Sequence, residues 1–384
     1  MIPYGRQMIS EQDVSAVVDV LRSDFLTQGP KVEAFEAAFC DRLGVSAAVA
    51  MNSATSALHA ACLALGLGPG DTLWTSPNTF VASANCAIYC GANVDFVDID
   101  PHTFNMCIAK LEEKLIAAAG ANSLPKIVMP VHFGGNPCDM RRLKQLSIKY
   151  GFYIIEDASH AVGGEYDNEP IGSCKYSDIT VFSFHPVKII TSGEGGLALT
   201  NSHCLAQKMI QIRSHGITRE TDQLRQNHQQ PWYYEQQSLG FNYRMNDIEA
   251  ALGLSQLGKL QSFIDRRTVL ANYYHHALST PKLATQLIRE GNRSSWHLYV
   301  VTLPTCGQSK RNEIFERMRK AGIGVNLHYI PVHLQPYYLE RGFKREDFPV
   351  AEHYFDHCLT LPLHPGLNET DVDYISAKLL DLLP

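Results

Sequence analysis

The chain has 384 residues, more than one typical core, so two domains, or one large domain with a smaller appendage, are expected. Its 45% hydrophobic and 19% charged residues are ordinary for a globular protein, and a net charge of −6 without a long basic run gives no support for nucleic acid or an anionic membrane as partner. No apolar stretch reaches the roughly 18–20 residues that span a bilayer, and the opening segment, MIPYGRQMISEQDV, lacks the basic and apolar regions of a signal peptide, so a cytoplasmic protein is expected.

Ser10 caps a predicted helix whose Val14, Val17, Val18 and Leu21 recur at helical spacing. The turn-rich stretch Asp24, Phe25, Leu26, Thr27, Gln28, Gly29, Pro30 reads as a connector, and a second helix, 31–43, ends at Gly44. A short strand, 47–51, leads into a helix with Ala54, Ala57, Leu58, Ala61 and Leu65 on one face. Ser53, Thr55 and Ser56 therefore bring hydroxyls to a helix N-terminus, where free N–H groups favour an anion such as phosphate; a plain N-cap is the alternative. The breaker GLGPGD at 66–71 is not GxGxxG, so the dinucleotide-binding spacing is absent. Strands at 73–76, 94–98, 126–132 and 152–157 alternate with helices at 81–89, 106–118 and 139–150. Phe80, at the start of one such helix, is either core or pocket-facing. The alternation predicts an α/β fold, a mostly parallel sheet covered on both faces. Ligands bind such sheets at the carboxyl ends of the strands, where Asp157, His132 and Thr55 fall.

The run 179–184 drops into a loop holding Lys188, then a glycine cluster (Gly193, Gly195, Gly196) and a further apolar run, 197–199. A helix at 205–212 and a polar, aromatic loop at 223–237 follow. Asn246 or Asp247 caps a helix over 248–264 that runs on into Tyr274. From about residue 275 the pattern becomes α+β: strands at 296–303 and 324–329, a helix at 310–321, a Pro- and His-containing loop at 330–338 and a terminal helix at 369–383. A large domain over 1–250 and a smaller C-terminal domain over 251–384 are expected, with the change between about 250 and 275.

Ten cysteines are scattered without CxxC pairs and read as small buried hydrophobes in a reducing compartment. His328 and His333, five apart on a Pro-containing loop, are poorly spaced as metal ligands, and no metal is expected. What remains is one amine, Lys188, and one carboxylate, Asp157, each at the end of a buried strand, with hydroxyls at a helix N-terminus and an aromatic at another. Such an inventory suits pyridoxal 5′-phosphate (PLP). A lysine bonds its aldehyde, a carboxylate pairs with its protonated ring nitrogen, a helix N-terminus holds its phosphate and an aromatic stacks on its ring. Taken alone, Lys188 could be a surface lysine and Asp157 a sheet-end cap.

Motifs spread over the whole chain carry a resemblance: LTQGPKVEAFE at 26–36, NSATSAL at 52–58, SPNTFVASAN at 76–85, DIDPHTFNM at 98–106, EDASHAVGGEY at 156–166, SFHPVKIITSGEGG at 183–196, RSHGI at 213–217, GFNYRMNDIEAALGLSQL at 240–257 and HYIPVHLQPYY at 328–338. Together they resemble the DegT/DnrJ/EryC1/StrS family of nucleotide-sugar aminotransferases, which implies the type I fold of PLP-dependent transferases. Within it the chain is most similar to the branch that makes 4-amino-4,6-dideoxy sugars on UDP for pseudaminic acid synthesis. The resemblance implies that Lys188 is the Schiff-base lysine and acid/base and that Asp157 pairs with the pyridine nitrogen. Thr55 (or Ala54), Ser56 and Ser183 resemble phosphate ligands and Phe80 the ring-stacking residue. His160 falls where relatives, many with Gln there, contact the O3′ side or ring face of the cofactor. Asn242 resembles the asparagine that reaches the phosphate from the neighbouring subunit, which implies a homodimer with a shared site. Tyr4 and the loop of Asp24, Phe25, Leu26 and Thr27 resemble substrate-binding positions, and His328 and Tyr329 are placed to face the sugar.

The implied reaction takes an amino group from L-glutamate to UDP-2-acetamido-2,6-dideoxy-β-L-arabino-hex-4-ulose, giving UDP-4-amino-4,6-dideoxy-N-acetyl-β-L-altrosamine. Related sugar dehydratases have His in place of the lysine, so retention of Lys188 favours transfer. A GDP- or dTDP-linked keto-sugar is the alternative substrate, and a non-catalytic PLP-binding regulator is the third reading.

Overall fold

A computed structural model describes residues 1–226 and 230–384; residues 227–229, inside the loop expected at 223–237, lie outside it. The centre is a seven-stranded sheet of β1 (Ala47–Met51), β2 (Thr72–Thr75), β3 (Asn93–Phe96), β4 (Ile127–Met129), β5 (Tyr153–Asp157), β8 (Ile179–Ser183) and β9 (Gly196–Thr200). Its order is β1-β9-β8-β5-β4-β2-β3, and only β9 runs against its neighbours. β9 returns directly from β8 through the loop that carries Lys188, so this one antiparallel strand needs no crossover helix.

Alternate side chains of the strands feed two cores. Leu73, Ile127, Met129, Ile155 and Val181 meet α3 (Ala54–Ala64), α4 (Ala82–Tyr89) and α7 (His203–Arg213). On the opposite face, Trp74, Val128 and Ile154 meet α5 (Ile108–Gly120) and α6 (Met140–Tyr150). Phe182, Leu197 and Leu199 there meet α2 (Pro30–Leu43) and α8 (Asp247–Leu257). β8 and β9 are buried along their whole length, as their unbroken apolar runs require. Two-residue strands β6 (Glu165–Tyr166) with β7 (Glu169–Pro170), and β10 (Ile217–Thr218) with β11 (Glu235–Gln236), decorate the edges.

A further core joins α9 (Leu260–Ala277), α10 (Gln308–Lys320) and α13 (Glu369–Leu382) to an antiparallel sheet of β12 (Ala284–Thr285), β13 (Tyr299–Thr302) and β14 (Cys358–Leu361). α9 spans both units: Leu260 and Ile264 pack with the large sheet, Leu270 and Tyr274 with the C-terminal core.

Several sequence expectations change. The helix expected to run unbroken from 248 to Tyr274 is two helices, α8 and α9, joined at Gly258 and Lys259. Segment 324–329 is not a strand; Asn326 alone bridges to Thr360. Of the apolar stripe expected on α1 (Glu11–Leu21), Val14 and Leu21 are exposed. The buried residues are Val20 and Asp13, whose carboxylate takes Ser255, Gln256 and Lys259. The loop at 330–338 contains a short helix, α11 (Pro336–Leu339), and α12 (Pro349–His357) and β14 carry no expectation from the sequence.

Candidate active site

The carboxyl ends of β1, β2, β4, β5 and β8 open onto one cavity of about 480 Å³. It is lined by Ser53, Ala54 and Thr55 after β1, Thr79 and Phe80 after β2, Val131 after β4, Asp157 and His160 from β5 onward, and Ser183 and Lys188 from β8 onward. Tyr4, His297, Asn326, His328 and Tyr329 close it from the N-terminal segment and the C-terminal unit.

Local structure fixes each group. The Lys188 loop is pinched at its neck: the Phe184 N–H donates to the Gly195 carbonyl (2.9 Å), and Ser192 N–H and Thr191 Oγ1 donate to the Phe184 carbonyl (3.0 and 2.8 Å). Asp157 ends β5 with its side chain buried; Oδ2 accepts Ser83 Oγ at 2.6 Å and Oδ1 accepts the Ser159 N–H at 3.1 Å. Ser83 is in turn 2.7 Å from Thr79 Oγ1, one helical turn earlier. A carboxylate held by two donors from its own protein is oriented before any ligand arrives. α3 begins at the cavity wall with Ser53 as N-cap, its Oγ accepting the Ser56 N–H at 3.1 Å. Gly196 makes this approach possible, because a Cβ there would overlap the Ser53 carbonyl.

The electrostatics follow from burial. Desolvation lowers the Lys188 amine from 10.5 to about 8, against the opposing pull of Asp157. At pH 7 roughly one such amine in ten is then neutral, against roughly one in three thousand for an ordinary lysine. Burial, and then the Lys188 charge, push His328 down to about 3 and His160 well below its usual range. His297, its ring tilted against that of His160 at 4.4 Å, falls likewise, by burial first and then by its cationic neighbours. The three histidines are therefore neutral at pH 7.

The structure brings Lys188, Asp157, His160, Ser183, Ala54, Thr55, Phe80, Tyr4, His328 and Tyr329 to the cavity. Ser56 is not among its lining residues: its hydroxyl is spent on Asn52 Oδ1 (2.5 Å) and faces Ser53 Oγ (2.8 Å). Ser53 supplies the hydroxyl there instead. Asp24, Phe25, Leu26 and Thr27 form an exposed loop outside this cavity, and Asn242 is exposed beside β1, its carbonyl 3.4 Å from Asn52 Nδ2. His160 is beside the other site groups, but both its ring nitrogens are engaged by the protein, by the Gly134 N–H and the Tyr329 hydroxyl. His132 is bonded to Glu156 at 2.7 Å, and His333 to Glu352 at 3.0 Å, both away from the cavity. Among the described residues no cluster of His, Cys, Asp and Glu is arranged to hold a metal, and no helix is long and apolar enough to cross a membrane. Ser83, His297 and Asn326 were not legible as site residues. The only available signal for Ser83 was its hydroxyl one turn after Thr79.

The residues fit PLP. The cavity offers a partly neutral amine for an aldehyde, a prearranged carboxylate for a ring nitrogen, and the N-terminus of α3 for a phosphate. Comparison with known proteins agrees. The sequence profile of the DegT/DnrJ/EryC1/StrS aminotransferase family matches residues 7–380. The chain is 38% identical over 386 residues to the spore coat polysaccharide biosynthesis protein SpsC of Bacillus subtilis, covering 100% of this chain and 97% of that protein. It is 36% identical over 392 residues to the UDP-4-amino-4,6-dideoxy-N-acetyl-β-L-altrosamine transaminase of Campylobacter jejuni, covering 100% and 98%. The structure of Helicobacter pylori PseC, an aminotransferase of pseudaminic acid biosynthesis, superposes with a TM-score of 0.91 at 31% identity, covering 100% and 99% of the two chains. With its mostly parallel sheet between helices, the chain has the type I fold of PLP-dependent transferases.

Proposed function

The chain belongs to the DegT/DnrJ/EryC1/StrS family and is a PLP-dependent aminotransferase; on that footing we propose its substrates and the work of its residues. The amino donor is L-glutamate. The acceptor is UDP-2-acetamido-2,6-dideoxy-β-L-arabino-hex-4-ulose, and the product UDP-4-amino-4,6-dideoxy-N-acetyl-β-L-altrosamine, the product in the name of the Campylobacter jejuni relative. The substrate proposal is carried by the 36% identity along the whole chain to the Campylobacter jejuni transaminase, and the aminotransfer chemistry by the placement of Lys188 and Asp157 in one cavity at the carboxyl ends of the strands.

PLP, when bound, supplies an aldehyde that bonds an amine and a ring that stores the electrons released from a substrate carbon. Asp157, held by Ser83 and Ser159, keeps the proton on the ring nitrogen. Ser53, the backbone of Ala54 and Thr55, and Ser183 hold the phosphate, with α3 contributing the positive end of its dipole. Phe80 covers the ring. Lys188, as the neutral amine, removes and returns a proton at the substrate carbon, and its depressed pKa places that chemistry near neutral pH. Tyr4 and His328, whose rings lie 5.5 Å apart, wall the side where the sugar enters.

A homodimer is part of the same proposal. Asn242 is exposed and the 24–27 loop lies outside its own chain's cavity, so both are free to complete a partner's site. Met8, Ile9, Val14 and Leu21 in the N-terminal segment and α1, and Phe25 and Leu26 in that loop, are exposed apolar side chains suited to burial against a second copy. The proposed location is the cytoplasm, where ten cysteines stay reduced.

A second reading keeps the cofactor and changes the sugar. It is favoured by the 38% identity to SpsC, whose name belongs to spore coat polysaccharide synthesis. Incubation with the UDP-linked 4-keto sugar and L-glutamate, with NMR of the product, decides between them. An amine at C4 of the UDP sugar in the altrosamine configuration is expected; the opposite configuration at C4 refutes the product, and turnover only with a GDP- or dTDP-linked keto-sugar refutes the UDP assignment.

A further inference from the structure

His160 does not touch the cavity with a free nitrogen, and that fixes the direction of a hydrogen-bond chain. The Gly134 N–H points at His160 Nδ1, 3.3 Å away, so Nδ1 is an acceptor and carries no proton. A neutral imidazole with a bare Nδ1 carries its proton on Nε2. Nε2 lies 3.0 Å from the Tyr329 hydroxyl, so His160 donates and the Tyr329 oxygen accepts. The Tyr329 proton must then point elsewhere. The hydroxyl lines the cavity and has no other protein partner among the described residues, so its proton is free to meet an acceptor bound there. The rings hold the arrangement: Tyr329 stacks on His160 at 25°, His160 lies 4.4 Å from His297, and Phe133 closes the edge of both.

We propose that the Tyr329 hydroxyl, aimed by His160, is the hydrogen-bond donor to the phenolic ring oxygen of PLP, and that His160 is a positioning residue without a cofactor contact of its own. This rests on the PLP reading above. The ring of Tyr329 lies 6.3 Å from that of Phe80, the residue assigned to cover the cofactor, and both line the cavity with Asp157 and Lys188. The charged and titratable groups facing it are Asp157 on β5, Lys188 on the loop after β8, His297 before β13, His328 beside it in the chain, and Tyr4.

The test is a spectrophotometric pH titration of the holoenzyme. The ring oxygen of the lysine–cofactor chromophore carries more negative charge after the chromophore loses its proton. A donor on that oxygen therefore lowers the midpoint of the colour change, and losing the donor raises it. Tyr329→Phe is expected to raise the midpoint by about one pH unit, the effect of one charge-assisted hydrogen bond. His160→Ala is expected to raise it in the same direction. His160→Gln, whose amide can accept from Gly134 and donate to Tyr329, is expected to restore it only while Tyr329 is present, so His160→Gln combined with Tyr329→Phe should stay as raised as Tyr329→Phe alone. The double variant Tyr329→Phe with His160→Ala should match Tyr329→Phe alone. An unmoved midpoint in Tyr329→Phe overturns the proposal, as does a further shift in the double variant, which would show His160 on the cofactor directly. A protein that stays colourless with added PLP overturns the PLP reading itself.

Discussion

Lys188→Met should make the cofactor-free protein more stable near neutral pH, although it destroys the residue assigned to catalysis. Burial moves the amine from 10.5 to about 8, with the Asp157 attraction already inside that net value. At about 1.4 kcal/mol per tenfold, the displacement corresponds to roughly 3 kcal/mol of folding free energy. Lys188 keeps some exposure to the cavity, so solvent screening reduces the expected gain to about 1.5 kcal/mol. Met retains a long, flexible side chain in the same space. The sign follows from proton linkage. Below about pH 8 both native and unfolded chains hold the proton, and the native state bears the full cost of the buried ammonium. Between about 8 and 10.5 the unfolded chain alone keeps it, so wild-type stability rises with pH. Above 10.5 neither holds it and the cost is gone. Urea denaturation of the two cofactor-free proteins at pH 7 and pH 10.5 should therefore show a variant advantage at the lower pH that disappears at the higher. A variant less stable at pH 7, or an advantage independent of pH, refutes the reasoning.

Ser83→Ala removes the 2.6 Å donor to Asp157; a hydrogen bond to a charged group is worth about 1.5–3 kcal/mol, so the dissociation constant for PLP, measured by equilibrium dialysis, should rise at least about tenfold. Gly196→Ala drives a Cβ into the Ser53 carbonyl and lifts the start of α3 from β9; a loss of about 1–3 kcal/mol in urea denaturation is expected, and unchanged stability would show that α3 can yield. Phe80 is 58% exposed, so Phe80→Ala should leave the urea midpoint within about 0.5 kcal/mol of wild type while weakening PLP retention on dialysis; a large stability loss with unchanged retention would make Phe80 a core residue instead.

The sequence carries the sheet because its strands announce themselves one at a time. β1, β5, β8 and β9 are short apolar runs bounded by breakers, and Gly44 and Gly151 end their helices in the left-handed conformation that glycine tolerates. Lys188 and Asp157 are legible for a related reason: Asp157 ends one buried strand and Lys188 sits in the short loop after another, where chain order already implies a place in space. His297 is not. It reaches the cavity from the other unit, 137 positions beyond the His160 whose ring it meets, and no spacing relates the two. Ser83 reads as one more small residue in an alanine-rich helix until Asp157 is seen beside it. The break between α8 and α9 is hidden because Gly258 keeps a helical φ of −60°, so neither turn geometry nor the apolar period marks it. On α1 the apolar period points the wrong way because a polar cluster, Asp13 with Ser255, Gln256 and Lys259, decides which face is buried. Ser56 misled for a local reason: three hydroxyls crowd one helix start, and only the rotamers show which of them is spent on Asn52.

The central claim is that Lys188 is the amine through which the enzyme holds its cofactor. Reduction of the PLP-loaded protein with sodium borohydride, followed by digestion and mass spectrometry, tests it directly. The account predicts a phosphopyridoxyl mass on the peptide containing Lys188 and no labelled peptide from Lys188→Ala; a label on a different lysine in the wild-type enzyme would contradict it.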